Sequence, residues 1–196
     1  MNPVEIRKSI RQSRRNIDDA TRTDWSRRIC ERVVAVPKFQ SSQKIGGFLA
    51  FDGEADPLAA MQVAVGNGQR VFVPIIVGKN KPLLFAPWSP KAKMRSNRFG
   101  IAEPDVPATE LISATELDFV ITPLVAFDER CNRIGVGGGY YDRSFAFTKK
   151  SSESSERVTL VGFAFELQKV ESIQTNHWDV RLNRIVTEAK EYQRSE

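Results

Sequence analysis

Residues 133–143 read RIGVGGGYYDR: three consecutive glycines between an arginine and two tyrosines, with Asp142 and Arg143 directly behind. Ordering glycine costs more chain entropy than ordering any other residue, so such a run inside a folded domain needs a reason. One reason is local, a tight turn with close backbone packing. The other is an anion. Without Cβ atoms, successive backbone N–H groups can converge on a phosphate, and positive φ is allowed. An apolar strand ahead of the run and a helix start near Tyr140, with its free amides, favour the anion. Arg133 and Arg143 flank the loop and supply counter-charge. Asp142 would repel a bare phosphate. It makes sense with Mg²⁺ in between, because hard cations take carboxylate oxygens and bridge to nucleotides. The run is not a Walker loop, which needs a Lys-Ser/Thr pair, nor the dinucleotide fingerprint, which needs glycine where Tyr140 stands.

Two other stretches carry polar chemistry. Arg7, Arg11, Arg14 and Arg15 fall at i, i+4, i+7 and i+8, so one helical face carries four guanidiniums, with only Asp18 and Asp19 as nearby acids. Taken alone this reads as a solvated face. The functional readings are a clamp for a compact polyphosphate or a nucleic-acid surface, and the lack of an aromatic before Trp25 favours the clamp. FLAFDGEADP places Asp52, Glu54 and Asp56 after a strand. Turn chemistry accounts for Asp52 and Asp56. It does not account for Glu54, whose carboxylate suits two adjacent N–H donors of a heterocycle. His177, the sole histidine, reads as positioning or packing. Cys131 lies in a polar turn with no base in view, so it is not read as a nucleophile, and Trp88 reads as core or rim. The loop 89–98, with Lys91, Lys93, Arg95 and Arg98, reads as solvated; the minority reading is a lid toward a polyanionic ligand.

The elements that must position these groups follow from periodicity. Residues 3–35 read as one long helix that Pro37 stops. Strands are expected over 43–51, 69–76, 82–88, 117–127, 157–165 and 184–188, with a short helix over 56–66 and a solvated loop at SSESSE, 151–156. Strands alternating with helices imply α/β architecture with a mostly parallel sheet, in which ligands sit beyond the strands' carboxyl ends. At 196 residues the chain is expected to form a single domain, 1–196. Charged residues make up 27% and hydrophobic ones 41%, a globular balance, and no apolar run approaches a membrane span. Cys30 and Cys131 are too few for a four-cysteine zinc site. The opening MNPVEIRKSIRQSRR has no apolar signal region, so a cytoplasmic location is expected. A net charge of +5 favours an anionic partner.

Taken together, these motifs resemble the 5-formyltetrahydrofolate cyclo-ligase family, also called methenyltetrahydrofolate synthetases. The segment ITPLVAFDERCNRIGVGGGYYDR is similar to its signature, IRKSIRQSRR to its basic start, FLAFDGEADP to its substrate strand and loop, FGIAEP (99–104) to its middle motif and HWDVRLNRIVTE (177–188) to its closing one. The resemblance implies a three-layer α/β sandwich. It implies that Arg7, Lys8, Ser9, Ile10 and Arg11, with Arg14 as a further candidate, lie at ATP. It places Arg133, Ile134, Gly135, Val136, Gly137, Gly138, Gly139, Tyr140 and Tyr141 around the nucleotide. Leu49 and Glu54 contact the folate, and Val136 to Tyr140 line the junction of the two ligands. Asp142 and Asp179 ligate Mg²⁺. Arg7 stands where many members carry lysine.

The implied reaction converts 5-formyltetrahydrofolate and ATP to 5,10-methenyltetrahydrofolate, ADP and phosphate through a phosphorylated formyl oxygen. No side chain forms a covalent intermediate. The expected partners are reduced folate and ATP, with no membrane and no obligate protein partner. The alternatives are an RNA-binding module built on the basic helix, and a phosphate-ligand enzyme on a related scaffold.

Overall fold

A computed structural model describes residues 2–96, 102–149 and 158–194. Arg98, the first half of FGIAEP and the whole of SSESSE fall outside the described residues. The chain starts with α1, Pro3–Arg15. The Asn2 side chain accepts from the amides of Val4 and Glu5, Glu5 returns a bond to the Asn2 amide, and Pro3 occupies the first turn, where its missing N–H is no loss. The long helix expected over 3–35 is two helices, because α2, Asp19–Val34, starts afresh. Asp18 accepts from the Thr21 amide at 2.9 Å, and Arg22 Nη2 donates to the Ile17 carbonyl at 2.6 Å. Those local bonds satisfy the backbone better than a continuous helix would at this aspartate. Next come α3, Pro37–Ser41, and α4, Leu58–Gly66.

Twelve strands appear among the described residues: β1 Lys44–Gly46, β2 Arg70–Ile75, β3 Leu84–Trp88, β4 Met94–Ser96, β5 Ala102–Pro104, β6 Ile112–Ser113, β7 Phe119–Pro123, β8 Ala126–Phe127, β9 Arg133–Ile134, β10 Thr159–Phe163, β11 Arg184–Val186 and β12 Glu191–Gln193. Eight form one sheet in the order β12-β11-β10-β7-β1-β2-β3-β6. Neighbours from β11 through β2 are parallel; the edge pairs β11–β12, β2–β3 and β3–β6 are antiparallel. The expected α/β class with a mostly parallel sheet is what forms.

Alternation along each strand makes two cores. On one face Val71, Val73, Phe119, Ile121, Val161 and Phe163 meet Ile29, Val33, Phe39 and Met61 of α2, α3 and α4, with Phe39 edge-on to Phe119 at 5.3 Å. On the other, Phe72, Val120 and Leu160 meet Phe145 of the short helix α5, Tyr140–Phe145. Ile6 and Ile10 pin α1 against Val125, Ala126 and Ile134.

Three differences from the sequence reading bear on the site. The strand expected over 43–51 leaves the sheet after three residues, so Gly47 to Glu54 are free to form a loop. The strand expected over 117–127 is β7 followed by β8, the first arm of the β8–β9 hairpin, both buried and therefore indistinguishable by hydrophobicity. The polar loop 89–98 contains β4, which pairs with β5 into a ribbon. Lys93 and Arg95 ion-pair with Asp105 there, and Arg95 also with Glu103. Strand order reverses at β1: β2 lies on one side of it and β7 on the other. At such a switch the carboxyl ends of two strands diverge and leave a crevice.

Candidate active-site cleft

That crevice is a cleft of about 760 Å³, within the usual size of a small-molecule site. Phe48, Leu49, Val73, Pro74 and Leu124 give it an apolar floor, and the exposed side chains of Phe51, Val136 and Trp178 line it as well. Its polar side is the glycine loop. The hairpin feeding that loop is rigid. Asp128 accepts from the amides of Arg130, Asn132 and Ile173 and from the Asn132 side chain. Beyond Ile134 the backbone needs glycine: Gly137 has φ 110° and Gly139 φ 62°. A Cβ on Gly138 would stand 2.6 Å from the Tyr140 ring.

Two arginines fix the loop through its carbonyls. Arg7 Nε donates to Gly135 O at 2.8 Å, and Arg143 Nη2 to Gly138 O at 2.6 Å, with the Arg143 guanidinium 5.0 Å from the Tyr140 ring centre. Those two carbonyls are therefore occupied, whereas no amide from Val136 to Gly139 donates to any group among the described residues. A row of free donors bordering a cleft is a site for anionic oxygens. Because α5 spans six residues, its macrodipole adds little to them.

Asp142, on α5, uses Oδ1 twice: it accepts from Arg133 Nη2 at 2.8 Å and from the Val180 amide at 3.0 Å. Arg133, its side chain 6% exposed, also donates to the Val180 carbonyl. Arg133 is thus spent on tying the closing segment to α5 and is no free counter-charge. Asp179 accepts through Oδ2 from the Asn176 amide at 2.7 Å. Each carboxylate keeps one oxygen without a partner among the described residues, and both line the cleft. No group of three or more His, Cys, Asp or Glu side chains gathers as a metal cage among the described residues. Two hard oxygen donors beside a phosphate-type loop do suit Mg²⁺, which keeps waters and takes phosphate oxygens for its other ligands. Lys149, not singled out by sequence, borders the same region and donates to the carbonyls of His177 and Asp179.

The opposite wall carries Glu54. Asp52 (φ 52°) and Gly53 (φ 71°) turn the chain so that Glu54 folds back, its Oε2 accepting from the Phe51 amide at 3.2 Å. Its Oε1 lies 3.8 Å from Arg14 Nη1. Burial pushes the Glu54 carboxyl above its usual range, and Arg14 pulls it back only in part. The arginine face of α1 has a destination that local sequence did not reveal. Arg15 Nε is 2.7 Å from Asp52 Oδ1, Arg11 Nε 3.4 Å from Oδ2 without hydrogen-bond alignment, and Arg14, 1% exposed, donates to the Asp52 carbonyl at 3.1 Å. Of the residues placed at ATP on α1, Arg7 alone lines the cleft. Lys8 and Ser9 face solvent, Ile10 is core, and Arg11 belongs to the Asp52 cluster. The cleft brings together all the others: Leu49, Glu54, Arg133 to Asp142, and Asp179.

Tyr141 also lines the cleft. Its ring stacks on Phe145 at 6.0 Å and 23°. Its hydroxyl oxygen is inaccessible to water and has no hydrogen-bond partner among the described residues. Burial first, and then the charge of Glu54, push its phenol far above the ordinary tyrosine range.

The model of the 5-formyltetrahydrofolate cyclo-ligase family matches residues 2–188. A 5-formyltetrahydrofolate cyclo-ligase of Haemophilus influenzae is 33% identical over 179 residues, 91% of this chain and 93% of that protein. Its Escherichia coli K12 counterpart is 32% identical over 182 residues, 92% and 97% of the two chains. The solution structure of Aquifex aeolicus 5,10-methenyltetrahydrofolate synthetase superposes with a TM-score of 0.81 at 26% identity, covering 100% of this chain and 94% of that one.

Proposed function

This chain belongs to the 5-formyltetrahydrofolate cyclo-ligase family, and from that premise we propose that it closes 5-formyltetrahydrofolate to 5,10-methenyltetrahydrofolate at the expense of Mg·ATP. The observation that carries this reading is the row of unpartnered amides from Val136 to Gly139 in one cleft with the buried carboxylate of Glu54. One wall suits a phosphate and the other a heterocycle's N–H edge.

The formyl oxygen is a poor leaving group until it is phosphorylated. The γ-phosphoryl passes to it and ADP departs. The N10 lone pair then attacks the activated carbon, the C–O bond breaks, and phosphate and the N10 proton leave. The chain's task is alignment and charge balance, as in phosphoryl transfer generally. Amides of Gly137 to Gly139 hold the terminal phosphate, and Arg7 and Arg143 brace that loop from behind. Asp142 and Asp179 hold Mg²⁺, which when bound offsets phosphate charge. Glu54 fixes the pterin on the apolar floor with Leu49 and attacks nothing. The RNA-binding alternative is not favoured, since Arg11, Arg14 and Arg15 are engaged at Asp52.

Mixing the protein with Mg·ATP and 5-formyltetrahydrofolate should raise the near-ultraviolet band of the methenyl product. Folded protein that gives no band would overturn the reading. Within it, Gly138→Ala should raise the KM for ATP about tenfold, ~1.4 kcal/mol. The added Cβ, 2.6 Å from the Tyr140 ring, must displace either the loop or the ring. Steady-state titration of ATP at saturating folate reads this, and an unchanged KM would remove the glycine loop from the phosphate site.

A further inference from the structure

The proposed function leaves the base of the nucleotide without a partner. The phosphates have the glycine loop and two carboxylates, and the folate has Glu54 and the apolar floor. A lone exposed apolar side chain needs no explanation, but Phe51, Val136 and Trp178 are exposed together around one cleft, and such a grouping marks a ligand surface. Trp178 is the largest of them and 57% exposed. It joins none of the three apolar clusters among the described residues, and its ring partner is His177, edge-on at 4.6 Å and 74°. Its footing is nonetheless fixed. Residues 176–179 form a turn closed twice: the Asp179 amide donates to Asn176 O at 3.1 Å, and the Asn176 amide donates to Asp179 Oδ2 at 2.7 Å. Lys149, in the 3-10 turn that follows α5, clasps the same turn by donating to the carbonyls of His177 and Asp179.

We propose that Trp178 stacks on the adenine ring of ATP and is the base-binding residue of the nucleotide subsite. This rests on the function proposed above. A magnesium held by Asp142 and Asp179 takes phosphate oxygens, so the nucleotide lies along the wall that these carboxylates share with the glycine loop. Its base then lies a ribose beyond the metal. Trp178 directly precedes Asp179, with Cα atoms ~3.8 Å apart, and both side chains line the cleft. It is therefore the aromatic surface within reach of that base. Glu54 and the floor serve the pterin on the opposite wall and leave the indole free for the other ligand. A flat π-surface on a rigid turn suits stacking, which reads the face of a base and not its hydrogen-bonding edge. The subsite therefore takes purine nucleotides as a class, guanine as well as adenine.

Trp178→Ala and Trp178→Phe test this. In the alanine variant the KM for Mg·ATP and the calorimetric Kd values for Mg·ADP and Mg·GDP should each rise about tenfold, the scale of one lost base–aromatic stack. The phenylalanine variant keeps a smaller ring and should stay within about threefold of wild type, and the KM for 5-formyltetrahydrofolate should change by less than about twofold in both. Magnesium tripolyphosphate, which has the phosphates and no base, should bind wild type and Trp178→Ala equally. Mg·ADP should quench tryptophan emission in wild type and not in Trp178→Phe, because neither Trp25 nor Trp88 lines the cleft. A loss for tripolyphosphate equal to that for ADP would make Trp178 a prop for Asp179. A loss for the folate instead would give the indole to the other ligand. An unchanged KM for ATP, or no quench, would remove it from the base. Each of these outcomes overturns the assignment. The parent reading fails separately: wild-type protein that forms no methenyl band refutes the function, whereas the variant results refute only the stacking.

Discussion

Asp142→Asn should fold normally and lose Mg·ATP-dependent turnover by about 100-fold or more, the scale of losing a group that organises transition-state charge. Asparagine keeps a side-chain oxygen where Asp142 Oδ1 accepts from Arg133 Nη2 and the Val180 amide, so the tie between α5 and the closing segment survives. Its charge does not survive. Arg133, almost fully enclosed, then rests on the Val180 carbonyl and an amide oxygen alone. Removing the counter-ion of an enclosed charge lowers stability, so the melting temperature should fall by a few degrees. The free oxygen that Asp142 offers the cleft also becomes an amide nitrogen or a neutral oxygen, and neither holds Mg²⁺ well. Turnover followed by the methenyl band across a magnesium titration, with thermal melting as the fold control, separates the two effects. Full activity in the variant would remove Asp142 from the metal site and leave it a tie between elements.

Glu54→Gln should raise the KM for 5-formyltetrahydrofolate about 10- to 100-fold, the worth of charge-assisted hydrogen bonds, with the KM for ATP little changed. Equal losses for both substrates would indicate a folding effect. The pH profile adds a second readout. The useful form of Glu54 is ionised, and burial lifts its pKa above 4.5. Folate affinity should therefore fall as pH drops through the raised value, earlier than an ordinary carboxylate would dictate, and Glu54→Gln should flatten that acid limb. Stability has the opposite sign. A carboxyl that holds its proton more tightly folded than unfolded contributes stability below the ordinary carboxylate range. It loses that contribution as pH rises through the folded pKa. Wild type should thus lose melting temperature relative to Glu54→Gln over that window. An acid limb that persists in the variant would assign it to another group.

The glycine loop was legible in the sequence because its residues are contiguous: the glycines, Tyr140, Tyr141 and Asp142 fall within eleven residues and line one cleft. Glu54 was legible by elimination, as the acid that turn preference does not explain. What stayed hidden depends on long-range partners. Four arginines on one helix face outnumber the acids beside them, yet the acid that collects three of them is Asp52, which local pattern assigns to a turn. The break at Asp18 was hidden by apolar periodicity, which continues through Ile17 while the backbone does not. The β7 end and the β8–β9 hairpin merge into one apolar run, because both are enclosed and hydrophobicity does not mark direction. An orphaned hydroxyl such as that of Tyr141 has no sequence signature, since it is defined by what fails to surround it.

Helix α1 touches both walls of the cleft, through Arg7 at Gly135 and through Arg14 and Arg15 at Asp52. Under the proposed function, the gap between the two reactants is therefore metered by helical pitch. Seven or eight residues at ~1.5 Å each keep one guanidinium at the glycine loop while the others anchor the Asp52–Glu54 turn. Inserting a single residue between Arg7 and Arg14 would rotate one set by ~100° relative to the other and mis-set both walls at once, though no atom meant for either ligand had been altered.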